Sequence, residues 1–136
     1  MEIILAENHG FCYGVKRAVE MANEAANSDG KSYTLGPIIH NPQVVGRLES
    51  KGVSPIQEVA DIDEGTMIIR SHGVGPAIYA EAEEKGLHIL DATCPHVKKA
   101  QQDAKSVIED GMTLVILGEK NHPEVKSINL WANNKG

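Results

Sequence analysis

Four places in the chain repeat one local pattern, a His or Cys followed closely by a proline placed to open a helix. They are Ile38-Ile39-His40-Asn41-Pro42, Ser71-His72-Gly73-Val74-Gly75-Pro76, Thr93-Cys94-Pro95 and Asn121-His122-Pro123. Proline suits the first helical position, where no N–H is needed. The residues just ahead of it stand beside the free N–H groups of a helix start, surroundings that favour anions and thiolates. A fifth place, Gly10-Phe11-Cys12-Tyr13-Gly14-Val15, also opens a helix, and its two glycines allow close backbone approach to a ligand. Taken singly, a His at a helix start is ordinarily a cap or a solvated loop residue, and a lone Cys a small apolar filler. The recurrence of one context singles out Cys12, His40, His72, Cys94 and His122. Glu124 follows His122 in a first turn, where the helix dipole favours an acid in any case.

Each of these residues needs an element before it and one after it. Apolar runs and amphipathic stretches alternate along the chain. The spacing predicts strands at Glu2–Ala6, Ser32–Leu35, Val53–Ile56, Thr66–Arg70, Leu87–Leu90 and Met112–Leu117. Helices are expected over Tyr13–Ala26, Pro42–Lys51, Pro76–Lys85 and Pro95–Glu109, with another starting near His122 and a polar run from Asn129 to Gly136. Glu58–Gly65 reads as an acidic loop. Strands alternating with helices through short joints imply an α/β fold with a parallel sheet. In such sheets ligands bind at the carboxyl ends of the strands, where the chemistry-bearing joints would lie. His9, His88 and His96 lack that context and read as structural; Lys16, Arg17, Lys98 and Lys99 read as solvated helix faces.

Composition narrows the function classes. The chain has 136 residues, with 13 Lys+Arg against 19 Asp+Glu, a formal net charge of −6. With 4% aromatics and no basic block, a nucleic-acid or anionic-membrane surface is not expected. The N-terminus carries acids where a secretory signal would carry bases, and no apolar run approaches the ~20 residues of a membrane span. A cytoplasmic location with free thiols is therefore expected for the two cysteines.

From spacing alone, three chemistries compete. Zinc binding by His and Cys has no paired C-x-x-C or H-x₃-H spacing behind it. Binding of an anion such as a phosphate by histidines and helix N-termini is compatible with every joint. An iron–sulfur site with thiolates from distant segments is not completed by two cysteines. A Cys–His nucleophilic pair has no local signature, and no P-loop or dinucleotide fingerprint occurs.

The chain resembles the N-terminal part of the 4-hydroxy-3-methylbut-2-enyl diphosphate reductase family. The resemblance rests on Gly10–Val15, Ile39-His40-Asn41, Ser71-His72-Gly73-Val74, Asp91-Ala92-Thr93-Cys94-Pro95 and Gly118-Glu119-Lys120-Asn121-His122-Pro123-Glu124-Val125. It implies a trefoil of three α/β units around a central iron–sulfur cluster of the 4Fe-4S type. It also implies reductive dehydroxylation of a small diphosphate substrate to isopentenyl and dimethylallyl diphosphate, with an electron donor such as a ferredoxin or flavodoxin. By that resemblance Cys12 and Cys94 are two of three cluster ligands, His40, His72 and His122 bind the diphosphate side, and Glu124 delivers protons. Residues 1–13 would be a strand and cysteine loop, 14–93 a first α/β unit, and 94–136 the start of a second, incomplete unit. The third cluster cysteine is absent from these 136 residues, so a partial form of the enzyme, itself inactive, is expected. The alternative is a non-catalytic α/β fragment that binds phosphate or diphosphate.

Overall fold

The computed structural model describes residues 1–136. Four short strands form one sheet: β1 (Ser32–Leu35), β2 (Val53–Ile56), β3 (Thr66–Ile69) and β4 (His88–Asp91). Their order is β2-β1-β3-β4 and every pairing is parallel, as the alternating pattern implies. The helices are α1 (Tyr13–Ala26), α2 (Pro42–Glu49), α3 (Pro76–Glu84), α4 (Pro95–Glu109) and α5 (Pro123–Trp131). Proline stands in the first turn of α2, α3, α4 and α5. The acidic loop contains a short 3₁₀ turn, Val59–Asp61, and is tied down by Lys85, whose ammonium donates to the Ile62 carbonyl at 2.6 Å.

The sheet is covered on both faces. Side chains alternate across a strand, so Ile68 enters one apolar cluster and its neighbours Met67 and Ile69 the other. The first cluster joins the sheet to α1 and α2 through Ala18, Ala22, Val44 and Leu48. The second joins it to α3 and the 3₁₀ turn through Ala82, Leu87 and Val59. Small alanines on α1 bring that helix close to the sheet, which fixes where its N-terminus, with Cys12, arrives.

Two expected strands do not form. Glu2–Ala6 and Met112–Leu117 have the apolar content of strands, but no neighbouring strand pairs with either. A strand exists through its ladder, and without a partner its N–H and C=O groups turn to water. Ile4 is accordingly 82% exposed and Leu117 94%. The polar run expected from Asn129 starts later than the sequence suggests. Helix α5 continues to Trp131 and ends where Asn133 and Asn134 adopt positive φ, a conformation asparagine tolerates. No helix is long and apolar enough to cross a membrane.

Candidate functional site at the carboxyl end of the sheet

A parallel sheet puts all its strand ends on one side, so the joints that follow them converge. The loop after β1 carries His40, and the loop after β3 carries His72. Asn41 caps α2, accepting hydrogen bonds from the N–H groups of Gln43 and Val44, both at 3.1 Å, and so holds the turn that presents His40. Past the end of β4 the ladder runs on: Ala92 N–H donates to the Ile69 carbonyl and Cys94 N–H to that of Ser71. This pins Cys94 one residue from His72 across the gap between strands. The order β2-β1-β3-β4 also makes β1 and β3 the pair where the connections change direction, the crevice that favours ligands in open sheets.

The third histidine comes from α5. His122 is the residue before its first turn, and its Nδ1 accepts a hydrogen bond from Glu124 N–H at 3.3 Å. In the neutral ring this leaves Nε2 as the donor. The ring centroids of His40 and His72 are 4.7 Å apart, those of His72 and His122 5.6 Å, and those of His40 and His122 6.2 Å. One ring nitrogen from each lies within 4.8 Å of the others. Three segments separated by more than thirty residues each thus deliver one imidazole to one place. A cavity of about 240 Å³ opens beside them, lined by Phe11, His40, Asn41, Ser71 and His72.

Residues outside the expected set hold this arrangement. Ser127 on α5 places its hydroxyl 2.8 Å from the His72 carbonyl and 2.9 Å from that of Glu124, and accepts from the Gln101 amide. Trp131 donates its indole N–H to the Val74 carbonyl at 2.9 Å. Between those two carbonyls lies Gly73, with φ +70° and Gln101 and Thr93 packed where a Cβ would go. Helix α5 therefore grips the His72 loop on both sides of its tightest residue, and sets the distance from His72 to His122. Arg17 and Lys98, expected to be solvated, are also tied in. Arg17 donates to the Thr93 carbonyl at 3.2 Å, and Lys98 to the Asp91 carboxylate at 2.6 Å. Nothing in their helical spacing distinguishes them from Lys16 and Lys99, which pair only within their own helices.

The electrostatics favour an anion here. Burial first, then the neighbouring His40, Arg70 and His122, push the His72 pKa down from 6.5 to about 4. Its ring is neutral at pH 7, with a buried Nδ1 that has no hydrogen-bond partner. Three convergent imidazoles are also what a divalent metal would meet. The nearby Arg70 cation works against a metal ion and in favour of an anion.

The two cysteines are both free and both occupy the position just before a helix, Cys12 at α1 and Cys94 at α4. Neither side chain caps its helix. The Cys94 sulfur packs against Gly14, in the first turn after Cys12: a Cβ at position 14 would stand 2.5 Å from it. Both thiols are thus uncommitted and at helix N-termini, and Cys94 lies against the first turn of the helix that Cys12 precedes. That donor set fits two thiolate ligands of an iron–sulfur group.

A match to the family described as LytB protein extends over residues 3–136. The chain belongs to the LytB family. Among relatives of this LytB chain, the 4-hydroxy-3-methylbut-2-enyl diphosphate reductase of Geotalea uraniireducens is 53% identical over 135 residues, 99% of the chain and 48% of the relative. That of Pelobacter propionicus is 54% identical over 135 residues, with the same coverage. A solved structure of (E)-4-hydroxy-3-methyl-but-2-enyl diphosphate reductase, the terminal enzyme of the non-mevalonate pathway, is similar with a TM-score of 0.84 and 48% identity, covering 97% of this chain and 47% of that one. The Plasmodium falciparum E-1-hydroxy-2-methyl-but-2-enyl-4-diphosphate reductase gives a TM-score of 0.90 at 32% identity, covering 95% and 41%. The LytB chain spans about half the length of the curated relatives it matches.

Proposed function

We propose that this chain supplies the histidine and part of the cysteine machinery of a 4-hydroxy-3-methylbut-2-enyl diphosphate reductase. The observation that carries the reading is the meeting of His40, His72 and His122 beside the Cys12–Cys94 end of the sheet. The relatives named for this activity and the shared fold support it.

In this reading the three imidazoles bind the substrate diphosphate by hydrogen bonding, with His72 donating as a neutral ring and Arg70 adding long-range attraction. Cys12 and Cys94 hold two irons of a 4Fe-4S group, whose third protein thiolate is not among these 136 residues. When bound, that group supplies the electrons and the Lewis acidity for loss of the substrate hydroxyl as water. Glu124, two residues from His122, is the proton donor. Phe11, Val15 and Ile39 give the same cavity apolar walls. Residues 14–93 form the first α/β unit of a trefoil, and Cys94 onward begins the next. The reduction draws electrons from a carrier such as a ferredoxin or flavodoxin, and the free thiols suit a cytoplasmic protein.

Two measurements on the 136-residue chain test the two halves of the proposal. Calorimetric titration with inorganic pyrophosphate should show binding that weakens about tenfold or more in His40→Ala and in His122→Ala. Anaerobic reconstitution with iron and sulfide should give a brown protein, with colour lost in Cys12→Ser and in Cys94→Ser. Pyrophosphate binding without iron uptake leaves the second reading, a non-catalytic diphosphate-binding unit, for which the three convergent imidazoles alone suffice. Binding indifferent to the histidines rejects both.

A further inference from the structure

A second cavity, of about 350 Å³, lies on the other side of the His72 loop, between Gly36 after β1, Arg70 after β3 and the outer face of α5. It shares the β1–β3 crevice with the histidine site but none of its histidines. Its size falls in the range of small-ligand sites.

Its charge is out of keeping with the rest of the molecule. The chain carries a net −6, yet no acidic residue lines this cavity, while Arg70 and Lys126 both do, together with the Asn121 amide. Neither cation has an ion-pair partner. The Nε of Arg70 is buried with no hydrogen-bond acceptor, and burial alone depresses the guanidinium's pKa, with no carboxylate acting to restore it. A buried donor without an acceptor is costly, and an acceptor supplied by a bound anion would remove that cost. The backbone makes room for this side chain. Gly36 has φ +69°, and a Cβ there would come within 2.8 Å of the Arg70 Nη1. Part of the remaining wall is apolar, with Ile78 and Leu130 lining the same space beside the polar Gln57 and Ser127.

We infer that this cavity is a second anion site, distinct from the histidine cluster, which binds a small organic phosphate: Arg70 and Lys126 hold the head group, and the Ile78–Leu130 wall takes a short apolar body. A guanidinium and an ammonium on one concave surface match a phosphate's several oxygens. A bound anion there would also offset one of the charges that depress His72, so the two sites communicate electrostatically.

The probes are inorganic phosphate and n-butyl phosphate, followed by backbone-amide NMR. The His40→Ala/His122→Ala form of the 136-residue chain removes most of the first site, so failure of the diphosphate reading and failure of this one are separable. The expected result is saturable shifts at the Gly36, Gly73 and Lys126 amides in that background. Butyl phosphate should bind several-fold more tightly than phosphate, and His72 should titrate higher when the site is filled. Arg70→Gln should weaken binding about tenfold or more, with partial recovery in Arg70→Lys. Lys126→Gln, an exposed change that leaves the fold intact, should weaken it several-fold. Shifts confined to the His72 ring surroundings, or affinities unchanged in both Arg70→Gln and Lys126→Gln, would overturn the assignment.

Discussion

The sulfur of Cys94 packs against Gly14, so that helix α1 and the start of α4 meet with only the Cys94 side chain between them. Gly14 lies in the first turn of α1 and needs no unusual φ; the sulfur alone excludes a Cβ. Helix propensity by itself favours Gly14→Ala by about 1 kcal/mol or less in a first turn. Overpacking against Cys94 costs about 1–3 kcal/mol. The expected outcome is net destabilisation in urea unfolding, by up to about 2 kcal/mol, and loss of iron uptake. In a Cys94→Ala background the closest contact is gone, so the penalty of Gly14→Ala should shrink, a coupling that a double-mutant cycle reads directly. A Gly14→Ala chain more stable than the parent would refute the contact.

Much of this arrangement is legible in the sequence, for local reasons. Proline announces the starts of α2, α3, α4 and α5, and glycines mark the turns after α2, α3 and α4, so the bounds of those three helices and of β1–β4 fall within about two residues of expectation. Convergence of the joints follows from parallel pairing alone. What local patterns cannot carry is information about neighbours. Whether Glu2–Ala6 or Met112–Leu117 becomes a strand depends on a partner, not on its own residues. Arg17 and Lys98 look like solvated charges until Thr93 and Asp91 are brought to them from the end of β4. Ser127 and Trp131 sit in an unremarkable helical run, and their roles appear only when α5 meets a loop more than fifty residues earlier.

That grip of α5 on the His72 loop is open to test by removing one donor at a time. Trp131→Phe keeps an aromatic ring against Tyr79 but leaves the buried Val74 carbonyl without its partner. Ser127→Ala strands both the His72 carbonyl and the buried Gln101 amide. Each should cost about 1–3 kcal/mol in denaturant unfolding. Each should also speed hydrogen exchange at Gly73 and Val74 and weaken pyrophosphate binding, because His72 and His122 are no longer held at a fixed spacing. Exchange and binding unchanged in both variants would mean that the histidines position themselves.

Asp91 anchors the neighbouring corner. Its carboxylate accepts from the Lys98 ammonium at 2.6 Å, the Thr93 N–H at 3.0 Å and the Tyr79 hydroxyl at 3.1 Å. Burial works against its charge, but Lys98 and the Thr93 contacts outweigh that and hold its pKa below the usual 3.8. The same burial, with Asp91 nearby, pushes Tyr79 up to about 12. A depressed folded-state carboxylate contributes stability that is present above its unfolded pKa and lost as pH falls through the folded one. Asp91→Asn should therefore lower stability at pH 7 by about 1–3 kcal/mol and flatten the acid limb below about pH 4. Unfolding curves collected from pH 7 to 2 on both chains decide it.

His72 produces a loss of stability at higher pH than Asp91 does. Its folded pKa, about 4, lies below its ordinary 6.5, so between those values the unfolded chain binds a proton that the folded chain refuses. Stability is therefore complete above about pH 6.5 and falls as the pH drops toward 4. Allowing for the partial exposure of the ring, the loss between pH 7 and pH 5 should be about 1 kcal/mol. His72→Asn carries no titrating group and should not show that component, so the difference between the two chains isolates it from every other acid and base. Direct titration of the ring by NMR should put its midpoint well under the ordinary 6.5. A His72 midpoint at or above 6.5, with parallel stability curves for the two chains, would mean that the ring is solvated and free of the burial and cationic neighbours that hold it neutral.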